Sequence, residues 1–198
     1  MDKPLIISFY TVGTPYQLEI FNLISSCHTL GLDHQIEGIE SRGSWEDNCA
    51  HKPFFIYEML KKHRRPVFWI DADAVFMRKP DFSLFEQADI AVRFVERFAH
   101  DIRFRICTAS LFCNYTPKAL AIMDKWCRRC QQILDQGRPA AFLEQVFIWE
   151  ILQEEKEATI AQLPVGYCKI FDLDEVAENE IVVEQRQASR RFREIVND

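Results

Sequence analysis

Short apolar runs alternate with longer segments of helical periodicity along the chain. The first run, LIISFYT (5–11), is rich in β-branched and aromatic residues and predicts a strand. The next segment, YQLEIFNLISSCHTLGL (16–32), carries apolar residues at helical spacing and predicts a helix that ends near Gly31. The stripe expected to face the core is Leu18, Phe21, Ile24 and Cys27.

The same alternation continues to the end of the sequence. Further strands are predicted at 34–40, 67–70, 89–94 and 108–114. Further helices are predicted at 53–65, 117–137 and 140–155, followed by a late strand and loop within 159–172. Alternating elements without a repeat or linker favour one α/β domain over 1–198, with a mainly parallel central sheet flanked by helices.

Two aspartates follow the apolar run VFWI (67–70). Asp71 would stand at the exit of a buried strand, where parallel sheets bind ligands. In extended chain, Asp71 and Asp73 would face one pocket, with Ala72 turned away. Two carboxylates so placed repel each other, and a divalent cation removes that repulsion; oxygen ligands favour Mg²⁺ or Mn²⁺. The alternative is a pair of solvated loop aspartates that cap the next turn.

Composition and charge narrow the class of protein. The chain has 198 residues, of which 48% are apolar, enough for a sizeable core. The net charge is −6 with no long basic run, which argues against nucleic acid as the main partner. The N-terminal apolar stretch is too short for a signal peptide, and no stretch is long enough for a transmembrane segment.

The cysteines predict a reduced compartment. There are seven, an odd number, scattered through the chain, and a cytoplasmic location is expected. Cys127 and Cys130 form a CxxC, but no second Cys/His pair has the spacing of a zinc site. We therefore expect a structural role for this pair.

Two enzyme classes place a DxD after an apolar strand. DADAV (71–75) matches the DxDx[TV] pattern of haloacid-dehalogenase-like phosphatases, in which the first Asp is the phosphoryl nucleophile. That motif normally ends the first strand, whereas here residues 1–66 precede the strand. A late apolar strand ending in paired acidic residues is also lacking, and IFDLDE (170–175) is the nearest candidate.

The second class is the metal-dependent glycosyltransferases of the GT-A fold. The sequence resembles a family of small nucleotide-diphospho-sugar transferases in that group, in order and over nearly the whole chain. The matching segments are FYTVGTPYQLEIFNLISSCHTLGL, SWEDNCAHKPFFIYEML, VFWIDADAVFMRKP, TASLFCNYTPKALAIMDKW, FLEQVFIWEIL and QASRR. The resemblance implies a GT-A fold, a nucleotide-diphospho-sugar donor, expected to be a UDP-sugar, an acceptor of unknown identity, and Mn²⁺ or Mg²⁺.

The resemblance also implies roles for particular residues. Asp73 would hold the metal directly, and Asp71 would contact the metal or the ribose. Lys52 would reach a phosphate, unless it is an ordinary surface lysine. The other residues implied at the donor site are Thr11, Thr14, Tyr16, Thr108 and Ser110. Trp45 and Asn48 also match a family segment. Tyr16 could stack on the base of the nucleotide, and the alternative is a packing role at the start of the helix.

Glu144 and Gln145 open an apolar helix. The resemblance implies that they lie beside the transferred sugar, as hydrogen-bonding groups or as the base for the acceptor hydroxyl. The alternative for Glu144 is a favourable interaction with the helix dipole.

The C-terminal segment departs from the family pattern. The family often has a histidine just before its Gln-Ala-Ser-Arg segment, and this sequence has none there. Glu184 is the expected substitute as an oxygen ligand. Arg190 and Arg191 are candidates for phosphate contacts, with a solvated tail as the alternative.

Three functions therefore remain for the sequence alone. They are a metal-dependent glycosyltransferase, a phosphohydrolase of the haloacid-dehalogenase type, and a non-catalytic nucleotide-sugar binding protein. The sequence favours the metal-dependent glycosyltransferase.

Overall fold

A six-stranded mixed sheet forms the centre of the protein. The structure is a computed structural model and describes residues 3–98, 100–137, 143–188 and 190. The strands of this main sheet are β1 (Leu5–Thr11), β2 (His34–Ile39), β3 (Val67–Ile70), β5 (Ile90–Phe94), β6 (Ile106–Cys113) and β7 (Ile160–Gln162), and β4 (Ala74–Phe76) lies elsewhere. Their order is β2-β1-β3-β6-β5-β7, and β6 is antiparallel to both of its neighbours. The other pairings are parallel, which confirms the predicted α/β fold with a mainly parallel sheet.

A small second sheet packs beside the main one. It has the order β4-β9-β8, where β8 is Lys169–Ile170 and β9 is Val183–Gln185. β4 follows directly after the two aspartates, and β9 comes from the C-terminal part of the chain. The small sheet therefore brings the C-terminal segment next to the exit of β3.

The helices cover both faces of the main sheet. They are α1 (Tyr16–Thr29), α2 (Trp45–Ala50), α3 (Lys52–His63), α4 (Pro117–Asp135) and α5 (Leu143–Glu154). Because strand side chains alternate, Leu5 and Ile7 of β1 pack with α3, α4 and α5, while Ile6 packs with α1 and the small sheet. Both predicted cysteines of the CxxC are buried on α4. Within the described residues, no helix combines the length and apolarity that crossing a bilayer requires.

The predicted apolar stripe of α1 is wrong for its first half. Leu18 and Phe21 are 73% and 62% exposed, and the buried residues of α1 are Ile20, Leu23 and Cys27. Apolar residues occur all round this helix, so its sequence periodicity does not decide which face meets the sheet. The contacts of Ile20 and Leu23 with Ile6 and Phe68 decide it.

Candidate functional site

A cleft of about 480 Å³ opens where β1 and β3 end. Because β6 runs antiparallel, its beginning lies at this same edge: the backbone N–H of Asp71 donates to the carbonyl of Ala109 at 2.9 Å. The side chains with polar groups that line the cleft include Thr11, Tyr16, Trp45, Asn48, Lys52, Asp71, Asp73, Glu144, Gln145, Gln187 and Arg190. The topology therefore gathers most of the predicted site residues from distant parts of the sequence.

Lys52 is a buried cation, so the alternative of an ordinary surface lysine is wrong. It is 6% exposed at the first position of α3. Its Nζ lies 3.0 Å from Oδ1 of Asp71 and donates to the carbonyl (3.3 Å) and hydroxyl (3.2 Å) oxygens of Thr108. Burial lowers the pKa of Lys52, but the nearby charges of Asp71 and Glu144 raise it further, and the net effect is a pKa above the usual value. The ammonium is therefore fixed between α3, β3 and β6.

Asp71 lies at the end of β3 with its carboxylate held from two sides. The indole N–H of Trp69 donates to its Oδ1 at 2.9 Å, beside the ion pair with Lys52. About a third of the side chain, 32%, is exposed. Trp69 was not among the predicted site residues, although its position two residues before Asp71 in a strand was a signal that both side chains lie on one side.

Asp73 is buried and holds the C-terminal segment. It is 7% exposed, its Oδ2 accepts a hydrogen bond from the backbone N–H of Ala188 at 2.6 Å, and its carbonyl accepts from the N–H of Arg186. Burial, reinforced by the charge of Asp71, raises the pKa of Asp73 to about 6.

The two aspartates share the cleft for a different reason from the one predicted. Residues 71–74 form a turn in which the N–H of Ala74 donates to the carbonyl of Asp71, so the alternation of an extended chain does not apply. Ala72 is not turned away and also lines the cleft. The turn still leaves both carboxylates facing one space.

The third predicted metal ligand lies outside the cleft. β9 alternates, so Val183 and Gln185 are buried while Glu184 points the other way, with its oxygens 3.4 Å from Lys169 and 3.8 Å from Arg186. In the described parts of the chain, no group of three or more His, Cys, Asp and Glu side chains is placed to hold a metal ion. Two carboxylates remain, and a Mg²⁺ site that is completed by substrate phosphates and water needs one or two.

Glu144 brings an unsatisfied carboxylate oxygen into the cleft. It is 6% exposed near the start of α5, and its Oε2 has no hydrogen-bond partner among the described residues. Trp126 fixes its backbone by donating to the Glu144 carbonyl at 2.8 Å. Burial raises the pKa of Glu144, opposed by Lys52 and assisted by Asp71. A buried acceptor without a partner is costly, which makes the Glu144 carboxyl group a candidate to accept a proton or hydrogen bond.

Gln145 has a different environment from Glu144. Its Oε1 accepts from the N–H of Thr108 at 3.1 Å and from the hydroxyl at 3.3 Å, and its Nε2 donates to the carbonyl of Arg103 at 3.2 Å. Both ends of the amide therefore hold the segment that leads into β6. Gln145 lines the cleft and also supports the start of β6.

The predicted residues near β1 divide between the cleft and its supports. Tyr16 lines the cleft and accepts a hydrogen bond from the indole of Trp45 at 3.1 Å; burial, then the charge of Asp73, raises its pKa. Thr14 instead donates to the carbonyl of Thr11 at 2.8 Å and stabilises the turn after β1. Asn48 lines the cleft while its amide holds the loop at 42–44.

Thr108 and Ser110 support the site from β6. Thr108 connects Lys52 with Gln145, as described above, and Ser110 is fully buried and accepts from Gln185 at 3.0 Å. Neither is among the cleft-lining residues. Ser110 therefore joins the main sheet to the small sheet rather than meeting a ligand.

Arg190 lines the cleft and is paired. Its Nη1 lies 2.6 Å from Oδ2 of Asp172, so the cation is held at the C-terminal side of the opening. Arg191, the other predicted phosphate contact, lies outside the described residues. Gln187, which was not predicted individually, lines the cleft in a left-handed backbone conformation.

One end of the cleft is apolar. Its lining residues there come from the end of β5, the start of β6 and the segment at β8: Val95, Phe104, Ile106, Ile170 and Leu173. These side chains carry no charge, although Ile170 and Leu173 flank Asp172, the partner of Arg190. The cleft thus offers a polar part for a charged ligand and an apolar part beside it.

Two comparisons relate the chain to known proteins, one by sequence and one by fold. The sequence profile of the nucleotide-diphospho-sugar transferase family matches residues 37–189. A crystal structure of a glycosyltransferase involved in the glycosylation of the major capsid of PBCV-1 is similar over 98% of this chain and 99% of that one, with a TM-score of 0.72 and 14% identity. At that identity the likeness concerns the fold. Among curated proteins, none matches the chain significantly.

Proposed function

The chain belongs to the nucleotide-diphospho-sugar transferase family, and we propose that it transfers a sugar from a nucleotide-diphosphate donor to an acceptor hydroxyl, with Mg²⁺ or Mn²⁺ at Asp71 and Asp73. A UDP-sugar is the donor to test first. The observation that carries the proposal is that Glu144, which has an unpartnered buried oxygen, lines the same cleft as the two aspartates. In this arrangement Glu144 serves the chemistry and the two aspartates serve donor binding, and all three line the same cleft.

The aspartates would hold the cation together with the donor diphosphate. When bound, the cation stabilises the charge that develops on the leaving diphosphate. Lys52 keeps Asp71 in position through the 3.0 Å ion pair, and Trp69 fixes the same oxygen. Asp73 and Ala188 keep the C-terminal segment over this part of the cleft.

Glu144 would act on a hydroxyl of the sugar or of the acceptor. A buried carboxyl with a raised pKa is a more effective proton acceptor near neutral pH than an exposed one. The apolar lining residues at Val95, Phe104 and Ile106 would receive the non-sugar part of the acceptor, because apolar side chains match an apolar group better than a phosphate. Arg190 also lines the cleft and would add a cation near the diphosphate.

The phosphatase alternative has less support. The DxD follows the third strand of the chain, whereas the phosphatase motif normally ends the first strand. Beryllium fluoride with Mg²⁺ mimics an aspartyl-phosphate, so it would raise the thermal midpoint of a phosphatase through Asp71. We expect no rise in the thermal midpoint of this protein.

The test is a panel of UDP-, GDP- and ADP-sugars with Mn²⁺, Mg²⁺ or a chelator. We expect the nucleotide sugars of one base to raise the thermal midpoint when metal is present. The same donor should release its nucleotide when a suitable acceptor is added. Stabilisation without turnover over an acceptor panel would favour the binding protein. Stabilisation by none of the nucleotides at millimolar concentration would overturn the proposal.

A further inference from the structure

Two cysteine thiols meet at the junction of the main and small sheets. The Sγ atoms of Cys107, on β6, and Cys168, directly before β8, are 3.5 Å apart. Cys107 is 9% exposed and lines the cleft, whereas Cys168 is fully buried. One thiol can therefore be reached from the cleft and the other lies behind it.

The surroundings favour a thiolate at Cys107. Cys168 donates a hydrogen bond from its thiol to Cys107, and this bond lowers the pKa of Cys107. Burial raises that pKa, and the charge of the buried Arg93 lowers it, so the net direction is downward. Arg93 is only 4% exposed and donates to the carbonyl of Cys168 at 2.6 Å. The pKa of Cys168 is raised, first by its hydrogen bond to Cys107 and then by burial. The pair thus consists of an attacking sulfur and a protonated partner.

We propose that Cys107 and Cys168 form a redox-modifiable dithiol, which a small disulfide entering the cleft oxidises to an intramolecular disulfide. The Cys107 thiolate attacks one sulfur of the small disulfide, forming a mixed disulfide and releasing one small thiolate, which takes a proton from water. Cys168 then loses its proton and attacks the Cys107 sulfur, releasing the second small thiol. Two protein thiols are oxidised and one small disulfide is reduced to two thiols.

The new bond would link the two sheets covalently. It would close a loop between residues 61 positions apart and connect β6 with the strand pair β8 and β9. β9 leads into Gln187 and Ala188 at the cleft, so oxidation would restrict movement of this segment relative to the main sheet. Closing a loop of this length is expected to raise the thermal midpoint by roughly 5–15 °C.

The test uses the full-length reduced protein under native conditions. It is incubated with bis(2-hydroxyethyl) disulfide, free thiols are alkylated, and the peptides are mapped by mass spectrometry. We expect a Cys107–Cys168 cross-linked peptide, the loss of two hydrogens from the intact mass, and full reversal by dithiothreitol. The thermal midpoint should rise in the oxidised sample.

Two variants separate the pair from ordinary thiol exposure. Cys49 also lines the cleft but has no thiol bonded to it, so Cys49→Ser should still form the bridge. Cys168→Ser should stop at a mixed disulfide on Cys107. A bridge that forms only in urea, or native protein that carries only mixed disulfides, would overturn the proposal. Peptide mapping of the unaltered protein decides this even if Cys168→Ser does not fold, and the result is independent of sugar transfer.

Discussion

The two sides of the cleft are held together in different ways. On the lysine side, which we define as Lys52, Asp71, Trp69, Thr108 and Glu144, a buried cation is balanced by carboxylates and tied to three elements of the main sheet region. On the C-terminal side, defined as Asp73, Ala188 and Arg190, a buried carboxylate is held by a backbone N–H, and Arg190 is held by Asp172. Asp71 and Asp73 are thus two residues apart in sequence and differ in every contact.

This difference indicates a division of labour. The lysine side is part of the packed fold, so the loss of its buried cation should affect stability as well as ligand binding. The C-terminal side meets the DxD through a small number of contacts from one segment, so changes there should affect ligand binding more than stability. The predictions below test this division, beginning with the largest expected effect.

Glu144→Gln should cause the largest loss, in turnover. The substitution keeps the shape but removes the proton acceptor, so sugar transfer should fall by about 10²- to 10⁴-fold while donor affinity changes much less. Glu150→Gln on the same helix is the matched control, because Glu150 is paired with Arg129 at the surface and does not line the cleft. Turnover close to that of the unaltered protein in Glu144→Gln would remove this residue from the chemistry.

Lys52→Met should cause the largest loss of stability. Without the ammonium, Asp71 and Glu144 lose their common counter-charge, and the free energy of unfolding should fall by about 2–3 kcal/mol; the partial exposure of Asp71 reduces the cost below that of a fully buried pair. Lys125→Met provides the control, since its pair with Glu155 is at the surface and should contribute less than about 1 kcal/mol. Urea denaturation measures both. Equal losses in the two variants would show that the buried pair of Lys52 and Asp71 contributes no more to stability than a surface pair.

Arg190→Ala should weaken phosphate binding without a comparable loss of stability. UDP affinity should fall roughly tenfold, about 1.4 kcal/mol, whereas uridine affinity should be unchanged. Arg186→Ala is the control, because Arg186 is in the same segment but turns towards Glu184 and lies outside the cleft lining. If UDP and uridine lose equally, Arg190 supports the fold rather than the phosphate.

His51 should give the smallest effect, a dependence of stability on pH at the start of α3. Burial, assisted by the charge of Arg42, lowers the pKa of His51 to about 4. An unfolded histidine titrates near 6.5, so the unfolded state binds this proton first and stability should decrease as the pH falls from about 6.5 towards 4. His51→Gln should reduce that decrease by about 1 kcal/mol, a figure lowered because the ring is partly exposed. Identical pH profiles for both proteins would show that packing around His51 does not restrict its protonation.

The sequence predicts the fold better than it predicts individual contacts. Local patterns are sufficient for β3, for α3 with Pro53 in its first turn, and for the aspartates after VFWI, because each depends on neighbouring residues. The direction of β6 depends on pairing between Ile70 and Ser110, which no local pattern contains.

Long-range pairing also explains the site residues that were placed less well. Glu184 and Gln185 are adjacent, and only the register of β9 against β4 decides that Gln185 faces inward and Glu184 does not. Gln145 and Glu144 were both expected beside the sugar, and their contacts differ. Both ends of the Gln145 amide are hydrogen-bonded, whereas Oε2 of Glu144 has no hydrogen-bond partner among the described residues. Lys52 could not be recognised as buried until α3 was packed against Asp71 and Thr108.

The most direct test of the account is calorimetric titration of UDP into the unaltered protein and Asp73→Asn, with Mn²⁺ or with a chelator. Asp73→Asn removes one ligand charge while keeping the shape and an acceptor for the N–H of Ala188. We predict that Mn²⁺ raises the UDP affinity of the unaltered protein roughly tenfold or more and that most of this gain is absent in the variant. An unchanged UDP affinity of Asp73→Asn in Mn²⁺ would contradict a metal-dependent donor site at the two aspartates.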